Sequence, residues 1–149
     1  MASVNDIIQP DDILDLEHAI RKAEAYTSAE IRVYLEYRNE HQEPTLRARS
    51  VFHELGMKAT NLENAVLFYA CISSKEYAIV GDDRMEEKLP LHFWSDLEKI
   101  IQKRFQADQM AVGLFDAIIE AGIKLGEFFP YDDKGDLNEL SNEVIINNN

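Results

Sequence analysis

The sequence predicts an α/β protein, a three-layer α/β/α sandwich in which a small mixed β-sheet is flanked by helices on both faces. Three observations predict it. The hydrophobic periodicity runs helix, strand, helix, strand, strand, helix, helix along the chain. One segment, NAVLFYACI at 64–72, is an almost unbroken apolar run, as a central strand covered on both sides requires. The chain has 149 residues, 46% of them apolar, which suits one domain around one core.

The elements follow in order. Residues 1–10 read as a loose lead-in. Pro10 with Asp11 and Asp12 starts a helix, since proline suits a first helical position and acids suit the first turn. Ile13, Leu16, Ile20 and Ala23 keep helical spacing, and the helix runs to about Tyr26. Ile31, Val33 and Leu35 alternate with Arg32, Tyr34 and Glu36, the period-two pattern of a strand. A polar loop with Pro44 leads to a helix from Thr45, carrying Ala48, Val51, Phe52 and Leu55 on one stripe and ending at Gly56. The 64–72 strand comes next, then a short turn, then YAIV at 77–80, the simplest hairpin partner for it. The helical crossover between the 31–36 and 64–72 strands makes those two parallel and the crossover right-handed. Phe93, Leu97, Ile100, Ile101 and Phe105 mark a helix; Met110, Leu114, Ile118, Ala121, Leu125 and Phe128 mark another, with Pro130 as its stop. The domain therefore spans 1–149 with its core at about 11–130, and 131–149 reads as a loose, frayed polar tail, of which Val144, Ile145 and Ile146 can lie on the body.

Lys and Arg total 15 against 28 Asp and Glu, a formal charge of −13. Such a chain repels nucleic acid and anionic membrane surfaces and attracts cations and basic partners. The single cysteine, Cys71, lies in an apolar run and reads as a core residue. No secretory signal and no membrane span are visible, so the expectation is a soluble, cytoplasmic protein.

The residues offer little for nucleophilic chemistry. There is no G-x-S-x-G elbow, P-loop or G-x-G-x-x-G, and His18, His41, His53 and His92 share no metal-ligand spacing. Carboxylates remain. Asp82 and Asp83 stand just past a strand end, where open α/β sheets place ligands, and Gly81 lets the backbone bend there. Hard cations want six to eight oxygens, so other acids must converge on the pair. Glu30, which opens the first strand, and Asp108, in the break between the last two helices, are the candidates; Asp108 alternatively caps the helix that starts near Met110. The stretch DDKGD at 132–136 looks faintly like a calcium loop but lacks its alternating ligands and distal Glu.

The runs AIRKAEAYTSAEIRVYLE, RARSVFHELGM, NAVLFYACISSKEYAIVGD and FWSDLEKIIQKRFQADQMAVGLFDAI resemble, in the same order, the blocks of the TPM domain family. The resemblance covers roughly residues 13–130. It implies an α/β/α sandwich and acidic residues on neighbouring loops that bind divalent cations, usually calcium. Onto this chain it carries Asp82, Asp83 and Asp108, with Glu30 at a position that is commonly acidic or amide. The implied cofactor is calcium, as one ion or two, with magnesium or another divalent cation as a substitute. Some plant members are described as acid phosphatases; many members carry a signal and a membrane anchor that this chain does not show. Three functions follow as expectations: a calcium-binding regulatory or interaction module whose acidic loops a metal ties together; a metal-dependent acid phosphatase acting on phosphomonoesters, against which stand the lack of a nucleophile and only the isolated Arg32 and Arg84; and an acidic surface that meets an unidentified basic protein partner.

Overall fold

A computed structural model of the chain describes residues 2–40, 42–59, 63–132 and 141–149. The elements are α1 (Pro10–Glu24), β1 (Glu30–Glu36), α2 (Pro44–Glu54), β2 (Ala65–Cys71), β3 (Glu76–Gly81), α3 (Phe93–Gln106), α4 (Met110–Leu125) and β4 (Ile145–Asn147), with 3-10 turns at Val4–Asp6, Met57–Ala59 and Asp83–Met85. The sheet order is β3-β2-β1-β4. β1 and β2 are parallel across the α2 crossover, β2 and β3 form the antiparallel hairpin, and β4 lies parallel on the far edge of β1. The α/β/α sandwich with a mixed sheet is the fold.

Strand alternation divides the core in two. Ile31, Val33, Leu35, Val66, Phe68, Ala70 and Ile79 face α1, α3 and α4 and make the larger cluster. Leu67, Tyr69, Cys71, Ala78 and Val80 face α2 with Ala48, Val51 and Phe52. All seven residues of β2 are buried, the apolar run being central with helices on both sides. Cys71 is a buried free thiol.

Three features depart from the expected pattern, the first being that residues 145–147, in the C-terminal segment expected to be loose, form the edge strand β4. The N-terminal segment is not loose: Val4 and Ile8 have no exposed surface, and the Val4 amide donates to the Asn148 side chain at 2.8 Å. The last helix ends at Leu125, short of Pro130, with Gly126 as its C-cap. A Cβ on Gly126 would stand 2.4 Å from the Tyr26 carbonyl oxygen, so the close passage of the chain after α1 admits only glycine there.

Helices α1 and α4 run side by side in the same direction. Asp12 and Asp15 line one groove with Ala111, Val112 and Phe115, while Ala23 touches Gly122 further on. Their positive N-terminal ends therefore lie together. Asp11 and Asp12 in the first turn of α1 offset that repulsion.

Candidate functional site

The end of β3 is built by a sheet row that continues one step past the strand. The Asp82 amide donates to the Ala65 carbonyl at 2.9 Å, and on the other side of β2 Glu30 is the register partner of Ala65. Glu30 and Asp82 thus flank Ala65, their backbones separated by two strand spacings, or roughly 10 Å. Both are buried, at 3% and 5% exposure. Ala65 packs into the cluster under α2, which places this row on the α2 face.

After Gly81 the backbone turns. Asp82 is the N-cap of the short 3-10 turn: its Oδ1 accepts the Arg84 amide at 3.1 Å. The turn sends Asp83 outward to solvent while Asp82 stays inside, which resolves the repulsion expected of adjacent carboxylates in part by separating them. The turn does not itself demand glycine, since Gly81 is not in the left-handed region; what calls for glycine is the Trp94 ring, from which a Cβ there would sit 2.6 Å. Glu63, Asp82 and Asp83 line one cleft of about 330 Å3 with Lys58 and Arg84. A smaller neighbouring cleft of about 170 Å3 is lined by Arg49, Phe52, His53, Lys58, Gly81 and Asp83.

Every cation of this region has an acidic partner. Arg49 Nη1 lies 3.5 Å from Asp83 Oδ1, and Lys58 Nζ 3.7 Å from Asp83 Oδ2. Arg49 also reaches Glu86 at 3.7 Å, and Arg84 pairs with Glu63. Among the described residues no group of three or more His, Cys, Asp or Glu side chains is arranged to hold a metal ion as it stands. Internal cations do the neutralising that an ion would otherwise do. Glu63, Lys58 and Arg49 were not among the expected site residues. Only the fold brings them in, since Lys58 and Glu63 come from the connection before β2 and Arg49 from α2.

Asp108 is not gathered with the pair. It pairs with Lys75, in the turn that precedes β3, whereas Asp82 follows the other end of that six-residue strand. At about 3.3 Å per residue the two ends lie roughly 20 Å apart. Helix α3 gives the same answer: Trp94 packs at Gly81 and Phe105 against Tyr77, so the helix carries the chain away from Asp82 before Asp108 is reached. A single ion cannot bridge both loops. The acid in the helix break has a backbone reason instead. Asp108 has φ +56° and is the first residue past the C-cap of α3. Its amide donates to the Phe105 carbonyl at 3.2 Å, and the Gln109 amide donates to the Arg104 carbonyl at 2.8 Å. That is a Schellman closure with aspartate in the left-handed position, where Gly or Asn is commoner. Nor does Asp108 cap α4; the residue before that helix is Gln109. Of the 132–136 stretch, residues 133–136 lie outside the described residues.

A second polar centre was invisible to the alternation pattern, which set Glu36 with Arg32 and Tyr34 on the face of its strand opposite Ile31, Val33 and Leu35. Glu36 has no exposed surface. Arg47 of α2 grips it with two parallel bonds, Nε to Oε2 at 2.9 Å and Nη2 to Oε1 at 3.0 Å. The Tyr69 hydroxyl donates to Oε2, and the Asn147 side chain reaches Oε1 at 3.5 Å and donates to the Tyr34 hydroxyl at 3.0 Å. Burial, and then the bond to Glu36, push the Tyr69 phenol far above its ordinary range, so it remains a neutral donor. The hydrogen bonds to Glu36 raise the Arg47 guanidinium. Through these bonds the centre joins α2, β1, β2 and β4.

The sequence matches the family model of the TPM domain over residues 3–122. The solution structure of BA42 protein from the psychrophilic bacterium Bizionia argentinensis is 34% identical, with a TM-score of 0.87 over 97% of this chain and 99% of that one. The N-terminal domain of cg2496 protein from Corynebacterium glutamicum is 13% identical, with a TM-score of 0.67 over 90% of this chain and 82% of that one, a likeness of fold alone. No curated protein matches the chain.

Proposed function

The chain belongs to the TPM domain family, and from that premise we propose that it is a divalent-cation-binding module whose ion, calcium in the first instance, enters the cleft at the end of β3 and regulates an interaction. The observation that carries this reading is the meeting of Asp82, 5% exposed, with Asp83 and Glu63 around one cleft at a strand end. Carboxylates, main-chain carbonyls and water are the ligands a hard cation takes. To bind it, Asp83 exchanges Arg49 and Lys58 for the ion and Glu63 exchanges Arg84. Binding is therefore a swap of charges, weaker than at a site free of internal cations, and it releases Lys58 and Arg84 to the surface while Arg49 keeps Glu86. Glu30, two strand spacings from Asp82 on the same face, adds negative potential from behind.

The test is an amide NMR titration with calcium. Shifts are expected at residues 81–86 and around Lys58 and Glu63, with none at Asp108. Asp82→Asn keeps the cap, since Asn caps as well as Asp, and is expected to weaken binding by about tenfold or more, as loss of a charged ligand does. Absence of any shift at about 10 mM calcium, above the weakest modules of this kind, would sink the reading.

One observation favours a second reading, a metal-dependent phosphatase acting on phosphomonoesters. Arg49 and Lys58 meet beside His53 and Asp83 in the smaller cleft, a pairing of cations that the sequence spacing did not disclose. Such cations grip a phosphoryl group. Turnover of p-nitrophenyl phosphate with divalent ions, lost in both Arg49→Gln and Asp82→Asn, would place this reading first; no turnover above the buffer rate removes it.

A further inference from the structure

Val112, Phe115, Ile119 and Ile123 follow one another at spacings of three and four along the outer side of α4. Val112 and Ile123 are 44% and 43% exposed, and Phe115 and Ile119 are half-buried against the core. Beside this stripe α1 carries Asp15 and Lys22, both exposed and two helical turns apart, hence on one side of that helix. Asp15 borders the same hollow as Val112 and Phe115. At the end of β3 each cation has its acid; among the described residues neither Asp15 nor Lys22 enters an ion pair.

The register of the two helices makes this face its own complement. Ala23 lies against Gly122. The midpoint of Asp15 and Lys22 falls between four and five residues before Ala23, and the midpoint of Val112 and Ile123 falls the same distance before Gly122. Since α1 and α4 run in the same direction, the two midpoints are level. A two-fold axis lying in the face at that level, across the helices, turns each helix antiparallel onto its own copy. One operation then sets Val112 on the partner's Ile123 and Asp15 on the partner's Lys22, each twice. It also sets the adjacent positive ends of α1 and α4 against the negative ends of the partner's helices. A parallel pairing would instead put Asp15 on Asp15 and Lys22 on Lys22.

We propose that α1 and α4 form the interface of a two-fold, antiparallel homodimer of this chain. The apolar stripes supply the affinity, and the two Asp15–Lys22 pairs fix the direction. Two helices of about 22 Å side by side present a face about 20 Å wide, so the two copies together bury about 1,000 Å2, the low end for a specific contact. The dimer is therefore a weak one, half formed at roughly 0.1 mM chain. Each copy carries a net charge of −13, and the repulsion between them is screened beyond about 8 Å at 0.15 M salt, whereas Asp15 and the partner's Lys22 lie in contact.

The experiment is sedimentation equilibrium of the full chain from about 10 µM to about 1 mM, either side of the expected midpoint. Chelator is present, so that no ion at the β3 cleft enters the outcome. A monomer–dimer equilibrium is expected. The double variant Val112→Gln, Ile123→Gln alters only exposed positions and is expected to weaken it about tenfold or more, the scale of an apolar anchor's loss. Asp15→Lys and Lys22→Asp each set like charges across the axis twice, and each alone is expected to stay monomeric over most of the range. An equimolar mixture of these two proteins is expected to associate at least as well as the wild type, since each copy supplies the charge the other has lost. A wild type that stays monomeric at 1 mM overturns the proposal, as does a dimer that the apolar double variant leaves unchanged. A mixture of the two charge variants that associates no better than either alone overturns the antiparallel register and the proposal with it.

Discussion

Replacing Arg47 by Met is expected to lower the unfolding free energy by about 3–5 kcal/mol, the range for removing one member of a buried ion pair. Glu36, with no exposed surface, would lose both bonds from Arg47. Tyr69 and Asn147 would remain, two neutral donors facing one carboxylate. Arg47 itself is 18% exposed, so water can follow the vacated guanidinium, which favours the lower part of the range. Urea unfolding followed by circular dichroism measures the change. The double variant Glu36→Gln, Arg47→Met removes the stranded carboxyl group and should recover more than half of the loss. A single variant within about 1 kcal/mol of the wild type, the size of an exposed pair, would show that Glu36 is not held by Arg47.

Gly122→Ala tests a different kind of constraint. In an open helix the change stabilises by about 1 kcal/mol, because alanine is the better helix former. Here the new Cβ would stand 2.5 Å from Ala23 Cα, 2.7 Å from its Cβ and 2.7 Å from its carbonyl oxygen. None of these is the movable end of a side chain. Helices α1 and α4 must separate along the length over which they touch, and overpacking of that kind costs about 1–3 kcal/mol, at times more. The collision with backbone puts this case at the upper end and outweighs the helical gain. The net expectation is a loss of about 2 kcal/mol and a fall in Tm of about 4–8 °C for a domain of this size. Ala23→Gly in the same chain gives back the space and should restore part of the loss. A rise in Tm for Gly122→Ala alone would show that the helices part at little cost.

The fold was legible where one periodicity ruled a segment. The alternation of Ile31, Val33 and Leu35 and the unbroken run of β2 needed no tertiary information, because each pattern has one layer position that satisfies it. Boundaries set by another segment were not legible. α4 stops at Leu125 on account of the chain passing Gly126, and nothing in the local sequence marks Tyr26 as the neighbour; Pro130 was the visible signal and the wrong one. The site divides likewise. Asp82 and Asp83 were marked by their place after a strand and lie in the cleft. Asp108 was singled out because an acid in a helix break is unusual, and the oddity was real, but its cause is a left-handed φ and not a ligand. A pairing of Arg49, Lys58 and Glu63 with these acids depends on α2 folding back over β3, a relation that residue spacing does not contain. The alternation set Glu36 with Arg32 and Tyr34 but did not mark it as the centre of a network, because its partners Arg47, Tyr69 and Asn147 come from α2, β2 and β4.

β4 gives the sheet an unequal pair of margins. It contributes only three residues, yet it is fastened by side chains whose partners lie more than 100 positions away: Asn147 on Tyr34, Asn148 on Val4 and Asn149 on Arg38. So short a ribbon detaches at small cost compared with global unfolding. In deuterium exchange the Tyr37 amide, which donates to the Asn147 carbonyl at 2.9 Å, should therefore lose its proton by local breathing, in a manner insensitive to mild denaturant, while the amides of β2 wait for the whole domain to open.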